Sequence, residues 1–179
     1  CSSEETAKYK SKIINSGQGI DITGGFGVDT FFFSKKSKSI IYCEQSKDLA
    51  LLVTNNLHAL NQYNCEIFVG DGVEYLKKLR KIDWIFVDPS RRKENQRVFQ
   101  LKDCKPNVID LIGLFFDKSD HILIKTSPLL DIQQTLSNFD AVKEVHVIAV
   151  NNDCKEVLYF LEKDFTGEAQ FFCVNLKKE

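Results

Sequence analysis

Short apolar runs alternate with longer amphipathic segments along most of the chain. Short apolar runs are typical of strands buried in a parallel sheet, and segments with apolar positions three or four residues apart are typical of helices. Strands are predicted at residues 18–22, 39–44, 65–70, 83–88 and 121–125. Helices are predicted at residues 2–14, 27–36, 46–61, 72–80, 107–117 and 128–138. This alternation favours a mostly parallel sheet with helices on both faces.

The last part of the chain has a different pattern. Residues 143–150 and 156–161 read as two strands, and the turn-forming sequence Asn151-Asn152-Asp153 joins them into an antiparallel hairpin. Residues 169–176 form one more apolar run without an obvious partner, which either extends the sheet edge or begins another domain. Within the helix at 46–61, apolar residues predict a buried stripe of Leu49, Leu52, Val53, Leu57 and Leu60.

A glycine-rich turn follows the first predicted strand, in the sequence Asp21-Ile-Thr-Gly-Gly-Phe-Gly27, and Glu44 ends the second strand 23 residues after Asp21. Glycines let a ligand approach the backbone, and an acid at the end of the next strand accepts ribose hydroxyls. This arrangement predicts an adenosine-containing cofactor. The dinucleotide fingerprint G-x-G-x-x-G is incomplete, because Thr30 stands where its third glycine belongs. A tight strand-to-helix turn without a ligand is the alternative interpretation.

Acidic residues follow four of the predicted parallel strands: Asp21, Glu44, Asp71 and Asp88. Ligands of open α/β sheets bind outside the carboxyl ends of the strands, so these four positions favour a binding site. The alternative is that they are helix N-caps and surface acids.

The sequence from Asp21 to Gly27 resembles motif I of the class I S-adenosylmethionine (SAM) methyltransferases, D/E-x-G-x-G-x-G, with Thr23 in place of the first glycine. The resemblance implies a Rossmann-like three-layer α/β sandwich. Its mostly parallel seven-stranded sheet has the order 3-2-1-4-5-7-6, with the last strand antiparallel. It also implies SAM as cofactor and S-adenosylhomocysteine as product. The implied cofactor-binding residues are Asp21, Thr23, Gly24, Gly25, Gly27, Glu44, Asp71, Gly72 and Asp88.

The sequence Asp88-Pro-Ser-Arg-Arg92 resembles the D/N-P-P-x corner that lies beside the transferred methyl group in that family. The resemblance implies Asp88, Pro89 and Arg91 as catalytic candidates. The substrate-binding candidates are Arg91, Arg92, Lys93 and Lys125. An alternative for Asp88 is a helix cap, and Lys125 either contacts substrate or pairs with Asp88. The cysteine that RNA uridine-C5 methyltransferases need after the fifth strand is absent from residues 125–128.

Segments along nearly the whole chain resemble a bacterial methyltransferase group that carries a helical segment before this domain and a THUMP-like domain after it. They are residues 1–10, 21–29, 87–92 and 125–131. We therefore expect a helical lead-in at 1–17, the methyltransferase domain at 18–165, and an extra strand or the start of a further domain at 166–179. Because the first residue is Cys1 and methionine is absent, we expect a piece of a longer protein.

The formal net charge is −1, so bulk charge does not indicate nucleic-acid binding. The segment 90–105 is nevertheless basic and follows the candidate acceptor residue Asp88. The sequence therefore predicts methylation of a base in tRNA or rRNA, with RNA bound by this loop and by flanking domains. The alternatives are a small-molecule or protein acceptor and a non-catalytic SAM-binding module. An NAD-linked oxidoreductase is disfavoured by the incomplete fingerprint and the terminal hairpin.

No C-x-x-C pair or zinc-finger spacing occurs among the six cysteines, and no metal site is predicted. Cys43, Cys65, Cys154 and Cys173 lie in or beside strand-like runs, where cysteine is usually buried and apolar. We expect them to be reduced and the protein to be cytoplasmic, with no membrane contact. The three histidines are expected to have structural or solvated positions rather than catalytic ones.

Overall fold

The computed structural model describes residues 2–90, 92–93, 96–97 and 100–177, with the backbone alone for 92–93 and 96–97. The chain divides into two compact units, Cys1–Phe86 and Val87–Glu179. The first unit contains α1 (Glu4–Lys10), β1 (Gln18–Asp21), α2 (Val28–Ser34), β2 (Ser39–Glu44), α3 (Lys47–Ala59), β3 (Cys65–Val69), α4 (Gly72–Lys78) and β4 (Trp84–Val87). The second contains β5 (Arg92–Lys93), β6 (Gln96–Arg97), a 3₁₀ turn (Leu101–Asp103), α5 (Val108–Lys118), β7 (His121–Thr126), α6 (Ile132–Leu136), β8 (Val142–Val150), β9 (Asp153–Glu162) and β10 (Gln170–Leu176).

The first unit has the strand order β3-β2-β1-β4, and all of these pairs are parallel. Its core is built by the apolar strand residues that the sequence pattern indicated. Phe33 of α2 packs edge-on against Trp84 and Phe86, with ring centroids 5.2 and 4.9 Å away. Side-chain caps fix the helix starts: Ser3 accepts from the Thr6 amide and Ser46 from the Leu49 amide.

The second unit has the strand order β7-β9-β8-β10. Strand β9 runs antiparallel to both β7 and β8, as predicted for the terminal hairpin. The hairpin turn consists of Asn151 and Asn152, with φ values of 50° and 66°, which a two-residue type I′ turn requires. The predicted Rossmann-like α/β class is confirmed, since both units have the predicted strand orders 3-2-1-4 and 5-7-6.

Strand β10 corrects the predicted count of seven strands, because the second unit has four strands where three were predicted. It pairs in parallel with β8, from Gln170↔Glu144 to Leu176↔Val150. The hairpin turn fixes its end: the Asn151 amide donates to the Leu176 carbonyl at 2.9 Å, and the Asn152 amide donates to Asn175 Oδ1 at 3.0 Å. The run at 169–176 therefore has β8 as its partner, and the turn amides bond its end.

Three other expectations need correction. On α3 the buried residues are Ala50, Val53 and Leu57, whereas Leu52 and Leu60 are 47% and 51% exposed. Helix α6 begins after its cap Asp131, which accepts from the Gln134 amide at 2.7 Å, and not at Pro128. The cysteines at 154 and 173 are exposed, because they lie on the sheet edge and beside the hairpin turn.

None of the described helices is long and apolar enough to cross a bilayer.

The close approach of β1 and β4 makes a matched test of this packing possible. A Cβ at Gly19 would lie 2.0 Å from the ring of Trp84, whereas a Cβ at Gly113 on α5 would meet nothing within 4 Å. We expect Gly19→Ala to destabilise the protein by about 1–3 kcal/mol through overpacking. Gly113→Ala should stabilise it by about 0.5–1 kcal/mol, since alanine favours a helix interior. Chemical denaturation of both variants checks this, and equal effects would contradict the described packing.

Candidate functional site

The glycine-rich turn between β1 and α2 has a backbone that only small residues tolerate. Gly25 and Gly27 have φ values of +61° and +71°, in the left-handed region. A Cβ at Gly24 would lie 2.6 Å from the Cys43 carbonyl oxygen, so the turn lies close against β2. At Gly25 a Cβ would meet, among the described atoms, just the Thr23 carbonyl oxygen at 3.7 Å. The outer side of the turn is therefore open to a ligand.

Asp21 fixes this turn from below. Its side chain is buried, and Oδ1 accepts from the Thr23 amide at 3.0 Å while Oδ2 accepts from the Thr30 hydroxyl at 2.8 Å. The carboxylate thereby links the start of the turn to the first turn of α2. A direct contact between Asp21 and a cofactor stays a prediction, and the observed bonds assign it the role of holding the glycines in place.

Two side chains of strand β2 form hydrogen bonds with the backbone of Gly25. Glu44 Oε2 accepts from the Gly25 amide at 3.0 Å, and the Tyr42 hydroxyl donates to the Gly25 carbonyl at 2.5 Å. The other Glu44 oxygen accepts from the Ser46 amide at 2.7 Å, at the start of α3. Burial, followed by the charges of Glu44 and Asp21, raises the pKa of Tyr42 well above its ordinary value, so its hydroxyl remains a donor.

Asp71 and Gly72 lie at the end of the neighbouring strand β3. Asp71 caps α4, with Oδ1 accepting from the amides of Val73 and Glu74 at 2.8 and 3.1 Å. The Gly70 amide donates to the Glu44 carbonyl at 2.9 Å, which joins the ends of β3 and β2. Asp21, Glu44 and Asp71 therefore lie along one edge of the first unit, at the carboxyl ends of parallel strands. A Cβ at Gly72 would lie 2.3 Å from the Ile22 carbonyl oxygen, so α4 starts close to the end of β1.

The second unit holds the acceptor candidates Asp88, Pro89 and Lys125. The Lys125 ammonium is paired with Asp88 Oδ2, and these side chains are 10% and 38% exposed. This pairing realises one of the two alternatives that the sequence left open for Lys125. Ser90 and Lys105 exchange two backbone hydrogen bonds of 2.7 and 3.0 Å and so close the base of the segment between them.

Much of the predicted basic loop lies outside the described residues. Arg91 lies outside the described residues, and so do the side chains of Arg92 and Lys93. Their predicted contacts with substrate, and the RNA-binding role of the segment 90–105, stay predictions.

One of the three histidines, His146, lies in the core of the second unit. His146 is buried, hydrogen bonds to Glu144 Oε2 at 2.9 Å and stacks on Phe172 at 4.8 Å. Burial lowers the pKa of His146, so the ring is mainly neutral at neutral pH. Within the described ranges, no group of histidine, cysteine and carboxylate side chains is arranged to hold a metal ion.

Sequence reasoning missed three residues that shape these sites: Tyr42, Thr30 and Glu156. Tyr42 reads as a core aromatic within an apolar strand, and nothing in the pattern shows that its hydroxyl meets Gly25. Thr30 stands three residues after the last glycine of the turn, which is where a first-turn hydroxyl can reach back to Asp21. Glu156 is 2% exposed on β9, directly before the apolar run 157–161. A carboxylate next to such a run is a signal that could have been used.

Comparison with solved structures found close similarity over the whole chain to a candidate methyltransferase from Porphyromonas gingivalis, with 31% identity and a TM-score of 0.88. The chain spans 46% of that protein's length. The similarity to an rRNA methylase from Streptococcus thermophilus covers 88% of this chain and 93% of the methylase, with 16% identity and a TM-score of 0.62. The similarity to TrmK from M. capricolum, in complex with S-adenosylhomocysteine, covers 92% of this chain and 71% of TrmK, with 10% identity and a TM-score of 0.67.

The two more distant similarities show a shared fold. No model of a protein family matches the chain, and no curated protein sequence matches it either.

The hydrogen bond from Tyr42 to Gly25 predicts that Tyr42→Phe lowers the stability of the protein. The variant leaves the Gly25 carbonyl without its donor, and we expect a loss of about 0.5–1.5 kcal/mol in the free energy of unfolding. Tyr63→Phe is the matched control, because Tyr63 is 72% exposed and its hydroxyl contacts Asn61 on the surface. Denaturant titrations of the two variants at pH 7 provide the comparison.

The raised pKa of Tyr42 adds a pH dependence with a definite sign. Above about pH 10 the tyrosine ionises in the unfolded chain before it ionises in the folded one, which stabilises the unfolded state. The stability contributed by Tyr42 is therefore present below pH 10 and is lost as the pH rises further. The difference in stability between wild type and Tyr42→Phe should shrink from pH 8 to pH 11. A difference that grows over this range would contradict the buried, hydrogen-bonded tyrosine.

Proposed function

We propose that this chain is the catalytic part of a SAM-dependent methyltransferase whose acceptor is a nucleotide of tRNA or rRNA. The observation that carries the cofactor assignment is the open outer side of Gly25 beside the Glu44 carboxylate. The similarity to the P. gingivalis candidate methyltransferase, at 31% identity over the whole chain, supports the same activity. The complex of TrmK with S-adenosylhomocysteine supports the same cofactor for this fold.

The residues at the edge of the first unit fit this cofactor. Glu44 would accept the ribose hydroxyls, since its carboxylate is half-buried beside the turn. The turn at Thr23, Gly24, Gly25 and Gly27 would accommodate the amino acid tail without side-chain interference. Asp71 and Gly72 would face the adenine edge, as the resemblance implies. SAM supplies a methyl group that is already activated on a sulfonium, so the chain's own task is to position the acceptor and exclude water.

The acceptor is assigned to residues of the second unit. The resemblance implies that Asp88, Pro89 and Arg91 contact the reacting group of the acceptor. It implies that Arg92, Lys93 and Lys125 bind the rest of the substrate. The basic composition of 90–105 and the rRNA methylase from S. thermophilus support an RNA acceptor. The predicted methylation of a base, as opposed to another part of the nucleotide, stays a prediction.

The wider setting follows the same proposal. Further segments of a longer protein, including a THUMP-like domain, would add RNA-binding surface, and the reduced cysteines among the described residues are consistent with the cytoplasm. The domain boundaries at residues 17 and 165 stay predictions.

Titration calorimetry with S-adenosylhomocysteine tests the cofactor site. We expect the wild-type chain to bind and Gly25→Val to abolish binding, because its side chain occupies the open space beside the turn and its backbone must adopt a positive φ. Glu44→Ala should weaken binding by about 1–3 kcal/mol. Glu66→Ala is the control, since Glu66 lies on β3 and accepts from the exposed Tyr75 hydroxyl. Wild-type affinity in either of the first two variants would refute the assigned site.

The acceptor class is tested in cells. Deletion of the gene should remove a methylated nucleoside from tRNA or rRNA, and complementation with the wild-type gene should restore it, whereas Asp88→Ala should not. An unchanged RNA modification profile, with intact binding of S-adenosylhomocysteine, would favour a small-molecule or protein acceptor. Full complementation by Asp88→Ala would favour a non-catalytic binding module.

A further inference from the structure

The second unit contains an ion pair, Lys125 with Asp88, and a buried carboxylate, Glu156. Lys125 is 8% exposed and pairs with Asp88, whose carboxylate is partly open to solvent. Glu156 is 2% exposed on β9, the strand that pairs with β7. Burying a carboxylate is costly unless it is paired or hydrogen-bonded. The burial of Glu156 so close in sequence to the residues that pair with β7 therefore suggests a role for it.

The strand register places Glu156 on the same face of the sheet as Lys125. Lys125 lies directly opposite Leu158, and residues two apart along a strand share one face. Glu156 is therefore at a diagonal position to Lys125, and diagonal neighbours on paired strands are about 7–8 Å apart, within reach of long side chains. Lys125 thus pairs with a partly exposed carboxylate and shares a face of the sheet with a buried one.

The ion pair between Asp88 and Lys125 affects which acceptor group the site can bind. An exocyclic amine brings N–H donors, and one oxygen of Asp88 already accepts from the Lys125 ammonium. A hydroxyl suits the pair better, because its oxygen can accept from the ammonium while its O–H donates to the remaining Asp88 oxygen. The same ammonium would stabilise the negative charge that develops on the oxygen as its proton leaves.

We propose that the acceptor atom is a hydroxyl oxygen of RNA, the ribose 2′-hydroxyl, and that Asp88 and Lys125 activate it while Glu156 positions Lys125. The inference rests on the proposed methyltransferase function and replaces the base predicted from the sequence. The hydroxyl proton passes to Asp88, the oxygen forms a bond to the methyl carbon, and the carbon–sulfur bond of the sulfonium donor breaks with its electron pair left on sulfur. Asp88 then releases the proton to water.

The position of the methyl group tests this directly. RNA from cells lacking the gene is incubated with the chain and SAM labelled on the methyl group, and is then hydrolysed with alkali. A 2′-O-methyl group blocks alkaline cleavage of the next phosphodiester, so the label should appear in dinucleotides. Label in base-modified mononucleotides would overturn the inference and leave the methyltransferase function intact. Absence of label in RNA, with S-adenosylhomocysteine still bound, would overturn it as well.

Variants assign the three roles. Asp88→Asn and Lys125→Met should each lower the methylation rate by about 100-fold or more, the scale of acid–base catalysis. Lys125→Met should do so without changing the affinity for S-adenosylhomocysteine. Glu156→Gln should lower the rate less, and Glu156→Asp should restore part of it. Lys143→Met is the matched control, because Lys143 forms a more exposed pair with Glu162 at 2.6 Å in the same unit. An equal loss in the control would contradict a specific role for Lys125.

A second readout does not depend on turnover. In the absence of SAM, the wild-type chain should bind an RNA oligonucleotide more tightly than its 2′-deoxy counterpart, and Lys125→Met should lose this preference. A preference that survives in Lys125→Met would contradict the proposed contact with the ribose. Failure of the wild type to bind S-adenosylhomocysteine would instead refute the proposed function itself.

Discussion

The hold of β2 on Gly25 is the interaction on which the candidate cofactor site depends. A glycine with a positive φ has no side chain to pack, so its position must be fixed through its backbone groups. Tyr42 takes the carbonyl and Glu44 takes the amide, and both come from the strand next to β1. Asp21 secures the two sides of the turn to each other. The turn is thus rigid from within and open outward, which is the condition for binding a ligand with little loss of conformational entropy.

The two units use carboxylates in different ways. In the first, the acids at the strand ends mostly accept from backbone amides, and this fixes the turn and the starts of α3 and α4. In the second, Asp88 has a cationic partner in Lys125, and a further carboxylate is buried on the same face of the sheet. Amide-bound carboxylates organise a backbone surface, whereas an ammonium paired with a carboxylate can hold and move a proton. This contrast is why we assign cofactor binding to one set and acceptor chemistry to the other.

The sequence was sufficient for the strands and for the edge where the acids meet. The run 39–44 is apolar and ends in an acid, and β2 occupies the same residues. Contacts between distant segments were harder to foresee. Leu52 and Leu60 fit a helical stripe yet are exposed, because α3 packs through the smaller Ala50 and through Val53 and Leu57. The parallel pairing of β10 with β8, and the bonds of its end to the turn amides of Asn151 and Asn152, are contacts that no apolar pattern records. Tyr42 and Glu156 were missed for the same reason, since their roles arise from what faces them.

The most direct test of the central claim is a crystal structure of the chain soaked with S-adenosylhomocysteine. We predict that the ligand binds at the carboxyl ends of β1, β2 and β3, with its ribose hydroxyls within hydrogen-bonding distance of Glu44 and its tail along the turn at Gly25. A ligand bound elsewhere, or one whose ribose leaves Glu44 without contact, would contradict it.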